Sequence, residues 1–351
     1  MIYFHNDYSE GCCPQILDRM IATNLEKTPG YGEDLYCASA ADKIRRTCDN
    51  NNLAVHFLLG GTQANLTVIS AALRPHQGVI GAVSAHIHVH ETGAVEATGH
   101  KVLAVPSADG KITPVQVARV VLEQRNSGAV EHMVQPKMVY ISNSTELGTV
   151  YTLQELKDLR SVCDEYGLYL FLDGARLGYA LTAKESDVTL KDLAKLCDVF
   201  YIGGTKVGAL FGEAVVIRNP AINEDFRYLI KQKGAMLAKG RLLGLQFDTL
   251  FTDDLYFQVA EKANRQAEQI RQTLHSLGYR LLVDNGSNQI FPILPDALLD
   301  ELGKNFTFTE QERVDDHYRA VRFCTSWATK QENVDALCNA LCTISEEHGN
   351  L

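Results

Sequence analysis

In the stretch "FYIGGTKVGALFGE" (200–213) a hydrophobic strand ends in Gly203 and Gly204, and a single cation, Lys206, follows among small and apolar residues. An ammonium shielded by such groups loses hydration, and its proton affinity falls toward neutrality. The free amine is then a nucleophile that forms Schiff bases with aldehydes. The competing reading is a lysine that snorkels from a strand end to water. Asp173, 33 positions earlier, ends the apolar run "LYLFL" (168–172). A carboxylate there is costly to desolvate unless a cation or a proton donor meets it. Arg176 follows three residues later as a partner, and a plain Asp–Arg pair or a helix cap is the alternative. In "LLGGTQAN" (58–65), two glycines end a strand and Thr62 opens a helix. The free N–H groups of such a helix start bind phosphate, although an ordinary strand-to-helix turn has the same pattern. The stretch is neither a G-x-G-x-x-G nor a Walker motif, which argues against a dinucleotide or a nucleoside triphosphate. His86, His88 and His90 alternate in "SAHIHVHETG" (84–93). On one strand face they would suit zinc, but the run reads as a strand end entering a helix, where alternation fails, and no metal is expected.

These groups need a scaffold that brings strand ends together. Short apolar runs at 53–59, 78–83, 100–105, 137–142, 167–173, 198–204 and 213–218 read as buried strands. Helical patterns lie between them at 62–74, 114–126 and 152–166. In the last of these Thr152 and Glu155 form a capping box and Gly167 stops the helix. Alternation of this kind predicts an α/β fold with a mostly parallel sheet wrapped by helices, and ligands bind at the carboxyl ends of such strands. Past residue 220 the pattern changes: long helices are expected over 221–251 and 253–277, strands at 279–283, 288–294 and 318–326, and a last helix at 331–346. We therefore expect a large domain over 15–245 and a small C-terminal α+β domain over 246–351, with residues 1–14 packing near the latter.

Composition removes other classes. The net charge of −10, without a basic stripe, argues against nucleic acid. No run of 18 apolar residues is present, so no membrane span is expected, and the N-terminal stretch does not read as a signal peptide. The nine cysteines are an odd number without a C-x-x-C pair, which predicts reduced thiols in the cytoplasm.

A lysine, an acid and a phosphate cradle at successive strand ends match the needs of pyridoxal 5'-phosphate: an amine for the aldehyde, a carboxylate for the pyridinium nitrogen, N–H groups for the phosphate. The stretches "YGED" (31–34), "GGTQAN" (60–65), "AHIHVHETGA" (85–94), "DGARL" (173–177), "GGTKVGALFGEAVV" (203–216) and "VRFCTSWAT" (321–329) occur in an order that resembles the threonine aldolase and β-eliminating lyase group of fold-type-I pyridoxal-phosphate enzymes. "STELGTVYT" (144–152) and "FTDDL" (251–255) are most similar to its phenylserine aldolase-like branch. The resemblance implies Lys206 as the Schiff-base lysine, Asp173 as the pyridinium partner, and His86 stacked on the ring. It implies Arg176 beside the ring oxygen and the substrate carboxylate, Gly61 and Thr62 at the phosphate, and Arg322 on the α-carboxylate. The histidine that contacts the substrate hydroxyl in the group is replaced here by Thr145 and Glu146, which makes Glu146 a candidate to accept the hydroxyl proton and Thr145 a candidate to hold a water that does. A family serine is replaced by Asn6, a candidate carboxylate donor. Lys239 and Tyr31 are expected to serve a neighbouring subunit's site, in a homodimer or homotetramer. The implied reaction is cleavage of a β-hydroxy-α-amino acid to glycine and an aldehyde; β-elimination and amino transfer are the alternatives.

Overall fold

The computed structural model describes residues 1–347. Seven strands form the main sheet, in the order 54–58, 213–217, 199–203, 169–173, 135–142, 77–82 and 101–105. All neighbours from 199–203 outward to 101–105 pair in parallel. Glu213–Ile217 runs against both of its neighbours. The strands 77–82, 199–203 and 213–217 are buried along their whole length, as layers of helices on both faces require. The helix expected over 152–166 is present as Leu153–Tyr166, with the Thr152–Glu155 capping box formed and Gly167 left-handed at φ 70°.

The C-terminal part holds a smaller antiparallel sheet of 293–295, 318–324 and 309–313, with 289–290 paired to 323–324. Its own apolar cluster joins Ile270 and Leu274 to Val321, Phe323 and Leu337, and takes in Phe4. Ile2 and Tyr3 pair in parallel with Phe306 and Thr307. The boundary expected at 245/246 falls inside the helix Arg241–Leu250, whose Leu245, Phe247 and Leu250 pack into the main core.

Three expected elements differ, the first being the strand over 288–294, which is split into 289–290 and 293–295. The single helix over 221–251 is three, Pro220–Asn223, Phe226–Gln232 and Arg241–Leu250. Asp225 (φ 57°) and Gly234 (φ 77°) are left-handed at the breaks, a conformation that ends a right-handed helix. The expected strand 279–283 is reduced to one bridge, Leu281 to Pro292. No described helix is long and apolar enough to cross a membrane.

Candidate active site

A cleft of about 350 Å³ opens at the carboxyl ends of the parallel strands and is lined by Lys206, Asp173, Arg176, His86, Gly61, Thr62 and Glu146. Seven residues drawn from five separate stretches of the sequence therefore meet in one place.

Asp173 is the last residue of its strand and is buried. Its Oδ2 accepts from Tyr140 Oη at 2.5 Å and Asn65 Nδ2 at 3.0 Å, and its Oδ1 accepts from the Ala175 N–H at 2.9 Å. Asn65 Nδ2 also donates to Glu91 Oε1 at 2.7 Å, and the same oxygen accepts from His86 Nδ1 at 2.8 Å. Carboxylates only accept, so the Asn65 amide has to stand as the donor between them. A chain of contacts thus runs from the acid to the histidine and fixes the imidazole. Asn65→Ala should cost about 1–3 kcal/mol in chemical denaturation, because two buried carboxylates lose their shared donor. A loss under about 0.5 kcal/mol, the range of ordinary surface changes, would show that the bridge holds nothing.

Lys206 follows the strand 199–203 in a turn and is half-buried. Among the described residues its Nζ has neither a hydrogen bond nor an ion pair, so the amine is free. Burial lowers its pKa, and the Arg176 charge lowers it further, while Asp7, Asp173 and Glu213 oppose the shift. Arg176 is itself engaged: its Nε and Nη2 donate to the two oxygens of Asp7 at 2.8 and 2.9 Å. Asp7 is fully buried and also accepts from Asn288 Nδ2 at 3.0 Å. Burial alone would raise its pKa, but the Arg176 guanidinium brings it down to about 2.

Glu146 Oε1 accepts from the His86 N–H at 2.9 Å and from Ser142 Oγ at 2.8 Å, and burial raises its pKa. Thr145 requires a correction. Its side chain turns away from the cleft, with Oγ1 2.8 Å from Thr149 Oγ1 and 3.3 Å from the Asp109 carbonyl. It holds the turn together and offers the cleft no hydroxyl. Asn6 is corrected as well: it lies outside the lining, its Nδ2 is 2.6 Å from His5 Nε2 and its Oδ1 accepts from the Tyr8 N–H and Ser9 Oγ in a local turn, and Tyr8 lines the cleft in its place.

Arg322 lies outside the cleft lining. Its Nη2 donates to the His5 carbonyl at 2.9 Å and its Nη1 to Gln289 Oε1 at 3.1 Å, while its buried Nε has no partner. Tyr31 and Lys239 are exposed and lie outside this chain's cleft. Their loops share one surface, for the Tyr31 N–H donates to the Ala238 carbonyl at 3.3 Å. A Cβ on Gly240 would stand 2.4 Å from the Gly32 nitrogen, so only glycine permits that approach.

The donor set fits pyridoxal phosphate. No side chain caps the helix Gly61–Ala72, so its first N–H groups lack internal acceptors and are available to an anion. The buried Tyr201 hydroxyl, which also lines the cleft, has no partner among the described residues either. Together with the free Lys206 amine and the Asp173 carboxylate, these groups match an aldehyde, a ring nitrogen and a phosphate.

An open sheet that gathers its polar groups along one rim, beside a smaller mixed α+β unit, is the architecture of the fold-type-I, aminotransferase-like enzymes. An aspartate aminotransferase mutant from Thermus thermophilus superposes with a TM-score of 0.69 over 98% of this chain and 91% of that one, at 16% identity, a likeness of fold alone. Within that class the chain belongs to the β-eliminating lyase family, whose profile matches residues 4–294. A low specificity L-threonine aldolase from Pseudomonas sp. (strain NCIMB 10558) is 31% identical over 344 residues, 95% of each chain. A solved threonine aldolase from Leishmania major is 46% identical, with a TM-score of 0.96 over 98% of this chain and 99% of that one.

Proposed function

We propose that the chain is a pyridoxal-phosphate-dependent aldolase that cleaves a β-hydroxy-α-amino acid of the threonine, allo-threonine or phenylserine type to glycine and an aldehyde. The observation that carries this reading is the unpaired Lys206 amine in the same cleft as buried Asp173 and an uncapped helix start. The names of the relatives support the substrate class.

Lys206 would hold the cofactor's aldehyde carbon, Asp173 its ring nitrogen, and the N–H groups of Gly61 and Thr62 its phosphate, with His86 against the ring. The bound group supplies an electron sink for the pair left at the substrate Cα. Arg176 orients the α-carboxylate from the cleft lining, and Arg322, whose guanidinium is held by the His5 carbonyl and Gln289 outside that lining, joins it only if it turns inward. Glu146 takes the proton from the β-hydroxyl, and its raised pKa makes it a better base than an exposed carboxylate. His86 is the second acceptor, held in one orientation by Glu91. Lys239 and Tyr31 complete the cleft of a second copy, in a homodimer or homotetramer. The nine cysteines are all free, which favours the cytoplasm.

The test is product analysis. Protein supplied with pyridoxal phosphate and given L-threonine, L-allo-threonine or phenylserine should release the matching aldehyde together with glycine. Release of ammonia and a 2-oxo acid in place of the aldehyde would overturn the aldolase reading in favour of β-elimination.

A further inference from the structure

Glu213 was not expected at the site, and it is there because one strand is reversed. Glu213 opens Glu213–Ile217, which runs against its neighbours, so its first residue reaches the rim where the others end. In register it faces Leu58 on one side and Gly203 on the other. Its side chain lines the same cleft as Gly61, Thr62 and Lys206, yet the residue is only 3% exposed. Oε1 accepts from Thr205 Oγ1 at 2.9 Å and Oε2 from the Gly204 N–H at 3.1 Å. Among the described residues no cation pairs with it.

The charges in the cleft make this carboxyl a problem for an anion. Arg176 is matched by Asp7. What remains along this chain's lining is one amine, Lys206, and the His86 imidazole against three carboxyl groups, Asp173, Glu146 and Glu213, and the Lys239 that a second copy is proposed to bring adds one cation to that side. A phosphate at the helix start adds roughly two negative charges to an enclosed site where charges are weakly screened.

We propose that Glu213 is the proton-holding member of this anion site: it carries a proton when a phosphate-bearing ligand is bound, and ligand binding draws that proton into the cleft. The inference rests on the pyridoxal-phosphate reading above. Burial, with the Asp173 charge behind it, pushes the Glu213 pKa up to about 8, against the pull of Thr205, Lys206 and the Gly204 N–H. The titratable groups around it are Lys206 in the preceding turn, Tyr201 on the adjoining strand 199–203, Asp173 on the next strand beyond it, and Tyr256 on the helix Leu255–Ser276. The helix Arg241–Leu250 brings apolar Leu243 and Phe247 to the neighbouring Gly212, and the uncharged Gln246 to the Leu210 and Phe211 N–H groups. The proton is held below the pKa and lost above it. Affinity for the phosphate ligand therefore falls as pH rises through about 8, by up to about tenfold per pH unit for one linked proton.

The experiment is a titration of wild type and Glu213→Gln with pyridoxal phosphate, and with pyridoxal, which lacks the phosphate, from about pH 6.5 to about 9.5. Wild type should bind pyridoxal phosphate progressively less well above about pH 8, and Glu213→Gln should flatten that fall. The two proteins should differ less with pyridoxal. The same slope in both proteins overturns the proposal. So does a Glu213→Gln protein that melts like wild type but binds pyridoxal phosphate tenfold more weakly near pH 7, because it would show that the charged form is required. Calorimetry on wild type alone, in two buffers of different ionisation heat, gives an answer that does not depend on the variant. Near pH 8, pyridoxal phosphate should draw in more protons than pyridoxal, and equal uptake sinks the inference. A wild-type chain that binds no pyridoxal phosphate at all would overturn the parent reading as well.

Discussion

Lys206→Ala should lower aldehyde release by about 10⁴-fold or more, the scale on which removal of a covalent nucleophile is felt, and should leave the fold intact. The second half of that expectation comes from the same observation as the first. Among the described residues the amine bonds to nothing in its own chain, so truncation breaks no internal hydrogen bond or ion pair. It also removes a partly desolvated cation that the Arg176 charge disfavours. Melting temperature should stay level or rise, and the visible absorption that wild type gains with pyridoxal phosphate should disappear. A variant that kept both turnover and absorption would move the chemistry away from this cleft.

The second large effect concerns stability. Asp7→Asn should cost about 3–5 kcal/mol, because Arg176, whose side chain is only 11% exposed, would lose the fully buried carboxylate that compensates it. The replacement keeps the size of the side chain, so the loss reports charge and not a cavity. Asp7 has its pKa depressed from 3.8 to about 2 in the folded chain. Its contribution is therefore complete above the unfolded value and is lost as pH falls through the folded one. That component is about 2 kcal/mol. Urea denaturation at neutral pH and in acid should show wild type losing it between about pH 4 and pH 2, and Asp7→Asn should lack that part of the decline. A neutral-pH loss under about 1 kcal/mol would mean that Arg176 finds another acceptor.

The parts of the site that were readable in the sequence are those whose local context is already unusual. Lys206 stands alone among glycines and aliphatics, and Asp173 ends an apolar strand; each is costly to place there without a purpose. Glu146 was reachable only as a substitution within a resemblance, and Thr145 beside it was indistinguishable until the turn showed which side chain faces inward. Glu213 obeys the same rule as Asp173, a carboxylate beside the apolar run "AVVI", but at the start of the strand. A rim assembled from carboxyl ends misses it unless the reversal of that strand is known. Asn65 carries no local signal of its role, since its partners Glu91 and Asp173 are 26 and 108 residues away. The fold was legible wherever periodicity and caps agreed, as in Leu153–Tyr166. It was misread over 221–251, where left-handed Asp225 and Gly234 divide a helical pattern that composition alone leaves continuous.

The short stretch Ile2–Asp7 ties distant parts of the chain together. Ile2 and Tyr3 pair with Phe306 and Thr307, the Phe4 carbonyl accepts from the Cys324 N–H, and Asp7 joins Arg176 to Asn288. Arg176 follows Asp7 by 169 residues in the chain, whereas Asn288, Phe306, Thr307 and Cys324 follow this stretch by roughly three hundred. During synthesis Arg176 can therefore meet Asp7 well before the segments that hold residues 2–7 in place exist, and the pair gains its fixed geometry only once those segments have been made.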